Sequence, residues 1–167
     1  EEAREAAEYF SSIDFKPWIR VIETDMVPVT RFAGSIHEVV EGRGEEPIGV
    51  RVVEVPVDLG RTQLRDDASS FIAYVPRGAL KRGADLVNTG GGGRTVACAT
   101  CHGDGLRGLG PIPALAGRSP SYMARQLYDL QQGNRNGVWS DLMDRAVANL
   151  TVDDIVNIVA YTANLRP

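Results

Sequence analysis

Cysteine, histidine and methionine are scarce in this 167-residue chain, which holds two, two and three of them. Two cysteines cannot build a disulfide framework. With only two histidines beside them, no second ligand pair at zinc-finger spacing exists to complete a tetrahedral site. Aromatic residues are few, at 7%. No apolar run approaches the roughly 20 residues needed to cross a bilayer, so no membrane span is expected. A positive surplus is missing as well. Lys and Arg number 18 against 22 Asp and Glu, for a net charge of −4, and a chain without clustered cations is not expected to take nucleic acid as its main partner. The first residues are acidic and lack the apolar h-region of a signal peptide, which is therefore expected to be absent or already removed. What remains suffices for a core: 43% of residues are hydrophobic, over the length of one domain or a small domain with a large appendage.

Charge is unevenly spread. Residues 1–60 hold 13 acids and 6 bases, net −7, and residues 61–167 hold 9 acids and 12 bases, net +3. Such asymmetry either orients an encounter with a charged partner or reflects two ordinary solvated surfaces. Within residues 1–13, Ala3, Ala6, Ala7 and Phe10 share a face at helical spacing. Laid without gaps on the last helical pattern of the chain, Glu1 and Glu2 fall on Asp153 and Asp154, Tyr9 on Tyr161, and Ile13 on Leu165. This segment either closes an upstream domain like the one that ends the chain or is an unrelated amphipathic helix.

From Phe15 the pattern changes. Residues 18–23, 48–55 and 71–75 are rich in β-branched and aromatic side chains and are punctuated by Pro28, Pro47, Pro56 and Pro76. They predict short strands or extended segments, with a turn at residues 42–44. Nothing in residues 14–76 carries chemistry. His37 stands alone there and reads as structural. The segment is expected to wrap or dock.

Helical period returns over residues 78–88, with Leu80, Ala84, Leu86 and Val87 as its apolar positions and Gly83 inside it. An interior glycine costs about 1 kcal/mol relative to alanine, so a packing reason is expected. The glycine run 90–93 has neither a following Lys-Ser/Thr pair nor G-x-G-x-x-G spacing, and predicts a flexible loop rather than a phosphate cradle. At the far end, Thr151 with Asp154 three residues on predicts a helix start. Val152, Ile155, Ile158, Val159 and Thr162 then follow the helical period.

Cys98, Cys101 and His102 form the pattern C-x-x-C-H, the signature of covalent c-type heme attachment. Two intervening residues let both thiols reach the two vinyl groups on one edge of a porphyrin, and the adjacent imidazole falls under the iron as proximal ligand. A thioredoxin-like redox pair would want a βαβ context, whereas this motif follows a helix and a glycine loop. The sixth ligand then separates an electron carrier from an enzyme or sensor. Candidates are Met26, Met123, Met143 and His37. Met26 lies far upstream, and Met123 falls in the first turns of an amphipathic helix, where methionine is commonly core filler. Met143 lies ahead of the final helix, with enough chain between it and His102 to reach the opposite heme face, and is favoured. Residues 108–113 predict an extended, rigid loop along a heme edge. Arg118, Arg125, Arg135 and Trp139 are candidates to bind heme propionates, Arg135 first among them.

Residues from about Gly78 to Leu165 resemble a class I cytochrome c domain. The order is a first helix with Gly83, the C-x-x-C-H motif, the stretch from Pro113 through Leu115 to Gly117, a middle helix with Tyr122, then Met143 and a final helix with Tyr161. The resemblance implies a mainly α fold around one covalent heme c over residues 77–167, preceded by an extension with short β strands. It implies that the Pro113 carbonyl receives the ring N–H of His102, that Leu115 lies against the porphyrin, that Met143 is the distal ligand, and that Gly83 packs on Tyr161. It also extends to two-heme members of the family, whose first domain would end in a helix like residues 1–13. This chain has one such motif, not two.

The expected function is electron transfer by Fe(III)/Fe(II) cycling with His102 and Met143 as axial ligands. The alternative is a heme enzyme or gas-binding sensor with an open sixth position, resembling a peroxidase. Expected partners are a dehydrogenase as donor, an oxidase or reductase as acceptor, and an upstream cytochrome domain. Thioether formation takes place outside the bacterial cytoplasmic membrane, which implies a periplasmic or membrane-facing protein.

Overall fold

The computed structural model describes residues 1–14 and 16–167. Phe15, where the non-helical pattern begins, lies outside the described residues. Helix α1 (Glu2–Ser11) has no buried residue, and its Tyr9 and Phe10 stand in solvent, edge to face with each other. Its apolar face is therefore not used as a cap on the rest of the described chain.

Strands follow. β1 (Ile19–Thr24) pairs in parallel with β7 (Phe71–Pro76), from Ile19 opposite Phe71 to Thr24 opposite Pro76, and β6 (Val53–Pro56) lies antiparallel on the other side of β7. Two smaller ladders complete this layer. β2 (Met26–Pro28) pairs with β5 (Glu45–Pro47), and β3 (Thr30–Ala33) with β4 (Ile36–Val39). Helix α2 (Leu59–Gln63) is capped by the Asp58 carboxylate, which accepts from the Arg61 N–H at 3.0 Å.

The stretch 48–55 is a strand only from Val53. Before it, Arg51 folds back and donates through Nε to the Ile48 carbonyl at 2.8 Å, which bends the chain. The period of two in β6 sends Val53 and Val55 into a core with Val27 and Ile48, and turns Glu54 to the opposite face.

The second half is helical: α3 (Ala79–Thr89), α4 (Ala99–His102), a 3-10 turn (Asp104–Leu106), α5 (Pro120–Gln131), a second 3-10 turn (Ser140–Met143), α6 (Asp144–Val147) and α7 (Val152–Asn164). Leu86, Val87, Met123, Leu127, Ile155 and Val159 are central members of its core. Helices α3 and α7 meet at Gly83, where an added Cβ would run into the Asn157 carbonyl oxygen and lie 2.7 Å from Tyr161 Cβ. That contact is the reason for the glycine. Thr151 and Asp154 form a reciprocal capping box at the start of α7. Val152, by contrast, faces solvent, since the first helical position precedes the turn that packs.

The strand layer is fastened to the helical half. Val75, Ala79 and Ala160 make a buried seam with Val21, Val52 and Leu80 around it. Several acids of the first sixty residues have partners, most of them at the surface. Asp25 pairs with Arg77, Glu38 with Arg31 and Glu46 with Arg51, while Glu23 accepts from the Leu80 backbone N–H at 2.9 Å.

Candidate heme-attachment site

The C-x-x-C-H residues occupy a single helical turn whose position is fixed from both ends. Upstream, the Cys98 N–H donates to the Val87 carbonyl at 2.8 Å, tying α4 to α3. The glycine loop between them is folded back on itself. Gly90, Gly91, Gly92 and Gly93 all adopt positive φ, and the N–H groups of Gly93 and Thr95 donate back to the Gly90 carbonyl. Beyond it, Arg94 Nη1 donates to the buried Asp154 carboxylate at 2.7 Å, and Thr95 Oγ1 to the Ala146 carbonyl at 2.7 Å. The loop is thereby pinned to α6 and α7.

Within the turn, Cys98 and Cys101 are three residues apart and share one face. Cys98 is half-buried against the core, and Cys101 is exposed. Burial pushes the Cys98 thiol up to about 11. His102 is buried, and its Nδ1 lies 2.8 Å from the Pro113 carbonyl oxygen. A carbonyl only accepts, so Nδ1 carries the proton and Nε2 keeps its lone pair. This is how a metal-binding imidazole is oriented and made more basic.

Downstream, the loop bearing Pro113 is held at several points. The Gly108 N–H donates to the His102 carbonyl at 2.8 Å, and the Leu115 and Ala116 N–H groups both donate to the Leu106 carbonyl, at 2.8 and 3.2 Å. Leu106 does this from a left-handed backbone at φ +58 while its side chain is buried. Residues 108–113 are not extended as expected. Leu109 and Ile112 exchange two backbone hydrogen bonds of 3.1 Å, so the chain doubles back at Gly110, whose φ is +57.

Leu115 and Met143 are half-buried and pack against the same core cluster as Cys98. Met143 ends the 3-10 turn before α6. Met123 is buried in that core, as filler should be. Met26 is partly exposed on β2, and His37 Nδ1 lies 3.4 Å from Thr30 Oγ1 in the β3–β4 hairpin. Tyr122 is exposed near the start of α5. Arg135 is exposed and donates to Gln126 Oε1 at 2.9 Å, Arg118 donates to the Ala114 carbonyl at 2.5 Å, and Arg125 is exposed. Trp139 is exposed, with a left-handed backbone at φ +73 that turns the chain into Met143. Leu106, Arg94 and Thr95 went unnoticed in the sequence because each acts through backbone or through a partner distant in the chain.

The donor set fits a c-type heme. Two thiols and an imidazole lie on one turn, the imidazole has its ligating nitrogen free of the Pro113 hydrogen bond, and a thioether shares their core. Cys98, Cys101 and His102 would hold the group, with Met143 as candidate for the far side.

Comparison with known proteins gives the family. Cytochrome c-554(548) of Halomonas halodenitrificans is 37% identical over 65 residues, which are 38% of this chain and 78% of that protein. The chain belongs to the class I c-type cytochromes. The thiosulfate dehydrogenase electron acceptor of Stutzerimonas stutzeri is 34% identical over 124 residues, 72% of this chain and 57% of that protein. Cytochrome c-552 of Acidithiobacillus ferridurans is 32% identical over 92 residues, 54% of this chain and 39% of that protein. The chain thus spans roughly half the length of these two relatives. No protein-family model matches the chain. As a c-type cytochrome it takes covalent heme c, and among the described residues no helix is long and apolar enough to cross a membrane.

Proposed function

We propose that this cytochrome is a one-electron carrier with a single heme, held by Cys98 and Cys101, and with His102 and Met143 as axial ligands. The observation that carries the reading is the 2.8 Å hydrogen bond from His102 Nδ1 to the Pro113 carbonyl, which leaves Nε2 as the ligating atom on the same helical turn as two thiols. Bound there, iron porphyrin supplies reversible Fe(III)/Fe(II) exchange. The protein's part is to keep the surroundings still. Fixed imidazole and thioether donors limit reorganisation between the two charge states, and a soft sulfur ligand favours the ferrous form. Leu115 supplies an apolar wall, and Tyr122, Arg135 and Trp139, all exposed, serve its rim.

Its partners are a dehydrogenase that donates electrons and an oxidase or reductase that accepts them. The relative from Stutzerimonas stutzeri, named as an electron acceptor of a dehydrogenase, supports that class. Residues 77–167 are the cytochrome domain, and 14–76 are a docking segment seated on α7. Residues 1–13 are the closing helix of an upstream cytochrome domain, a reading supported by the exposure of every residue of α1 and its alignment with α7. The compartment is the periplasm, where thioethers form.

The deciding test is spectroscopic. The oxidised holoprotein should show the weak near-infrared sulfur-to-iron band and lose it in Met143→Ala. Rapid binding of carbon monoxide or cyanide by the unaltered protein would show an open sixth position and refute the carrier reading.

A further inference from the structure

Two carboxylates of the strand layer sit at helix starts in the helical half. Helix α3 begins at Gly78, which has no side chain to cap it, and Glu23 of β1 accepts from the Leu80 N–H at 2.9 Å in its place. Helix α5 begins at Ser119, whose hydroxyl oxygen accepts from the Tyr122 N–H at 3.2 Å. Glu54 Oε2 of β6 accepts from that same hydroxyl at 2.8 Å and from the Ser121 N–H at 3.1 Å. Each carboxylate also faces the positive end of its helix. The two differ in what lies just upstream. Before α3 there is only the end of β7. Before α5 lies the loop that carries Pro113.

We propose that Glu54 is a positioning residue for His102, acting through residues 113–119. That loop is a short run of fixed points: Pro113 on the His102 ring, Leu115 and Ala116 on the Leu106 carbonyl, Gly117 on the Thr162 carbonyl at 2.9 Å, and Ser119 on Glu54. The last is the anchor supplied by the first half of the chain. Glu54 orients the Ser119 hydroxyl so that it donates to the carboxylate and accepts from α5 at once. Without it the first turn of α5 frays, and slack enters the loop within six residues of the Pro113 carbonyl. A hydrogen bond at 2.8 Å tolerates little slack. The strand layer thereby bears on the His102 ring without touching it.

This rests on His102 holding iron through Nε2, and the test keeps the two apart. Exchange of the His102 Nδ1 proton with solvent is followed by NMR on the reduced holoprotein. Glu54→Ala should speed it about tenfold, the loss expected for one charge-assisted hydrogen bond. Glu54→Gln, which keeps an oxygen acceptor, should restore slow exchange. Glu23→Ala removes a matching cap away from the loop and should lower the unfolding midpoint while leaving the exchange within about twofold. Exchange unchanged in Glu54→Ala, or equally fast in Glu23→Ala, overturns the role of Glu54. Should Glu54→Ala not fold, Ser119→Ala is read instead, with about threefold faster exchange expected and no change counting against the proposal. A wild-type holoprotein without the low-spin heme-methyl pattern in its oxidised NMR spectrum would remove the ligand assignment, and this inference with it.

Discussion

Replacing Gly83 with alanine pits two effects of opposite sign. Helix propensity alone favours alanine over an interior glycine by about 1 kcal/mol. The helix contact opposes it. The new methyl would run into the Asn157 carbonyl oxygen of α7 and approach Tyr161 Cβ to 2.7 Å, where ordinary contact begins near 3.4 Å. The obstructing atoms are helix backbone and a Cβ, which cannot rotate away, so α3 and α7 must move apart. Overpacking of this kind costs typically 1–3 kcal/mol and occasionally more, and rigid obstruction puts Gly83 at or above the top of that range. Set against the propensity gain, the net loss is about 2–3 kcal/mol, or about 4–12 °C in Tm for a chain of this size. The damage should also reach the motif, because the Cys98 N–H hangs on the Val87 carbonyl of the displaced helix. Guanidinium and thermal unfolding of the holoprotein measure it. A Gly83→Ala variant as stable as the parent, or more so, would refute the reasoning, since propensity would then have outweighed the contact.

Met123→Ala should cost about 2–4 kcal/mol in chemical denaturation through the cavity it leaves, with the sulfur-to-iron band intact; loss of the band would make Met123 the ligand. Arg94→Ala leaves the buried Asp154 carboxylate with only its Thr151 partners, and should cost about 1–2 kcal/mol, discounted because Arg94 is itself half exposed. Unchanged stability there would mean that the ion pair does not hold the glycine loop. Arg65 is exposed and left-handed at φ +57, so Arg65→Gly should stabilise by up to about 1 kcal/mol, measured as a rise in the unfolding midpoint.

The parts of this fold that could be read in advance are those in which a residue's neighbours in space are also its neighbours in sequence. The thiols and imidazole of residues 98–102, the Thr151–Asp154 capping box and the periodic face of α7 are local, and their chemistry shows in their spacing. Pro113 and the Gly83–Tyr161 contact are not local, and became legible only through resemblance to a family that repeats them. The strand layer was recognised as β-rich, but its pairings were not foreseen, because β1 finds its parallel partner β7 some fifty residues later. Glu23 and Glu54 carry no signal in the sequence for the same reason: a carboxylate does not announce which distant helix it will cap. Leu106 and Trp139 hid differently, since side-chain identity gives no hint of a left-handed backbone where glycine is the usual choice.

The parallel pairing of β1 with β7 has a mechanical consequence. A tether attached ahead of β1 and a load borne by the helices beyond β7 would pull the two strands lengthwise past one another, in the direction that stretches all six registered pairs together instead of peeling them one at a time. Such a joint resists tension as a lap joint does. Tension applied at α1 is therefore borne by the whole β1–β7 ladder before it reaches the helical half.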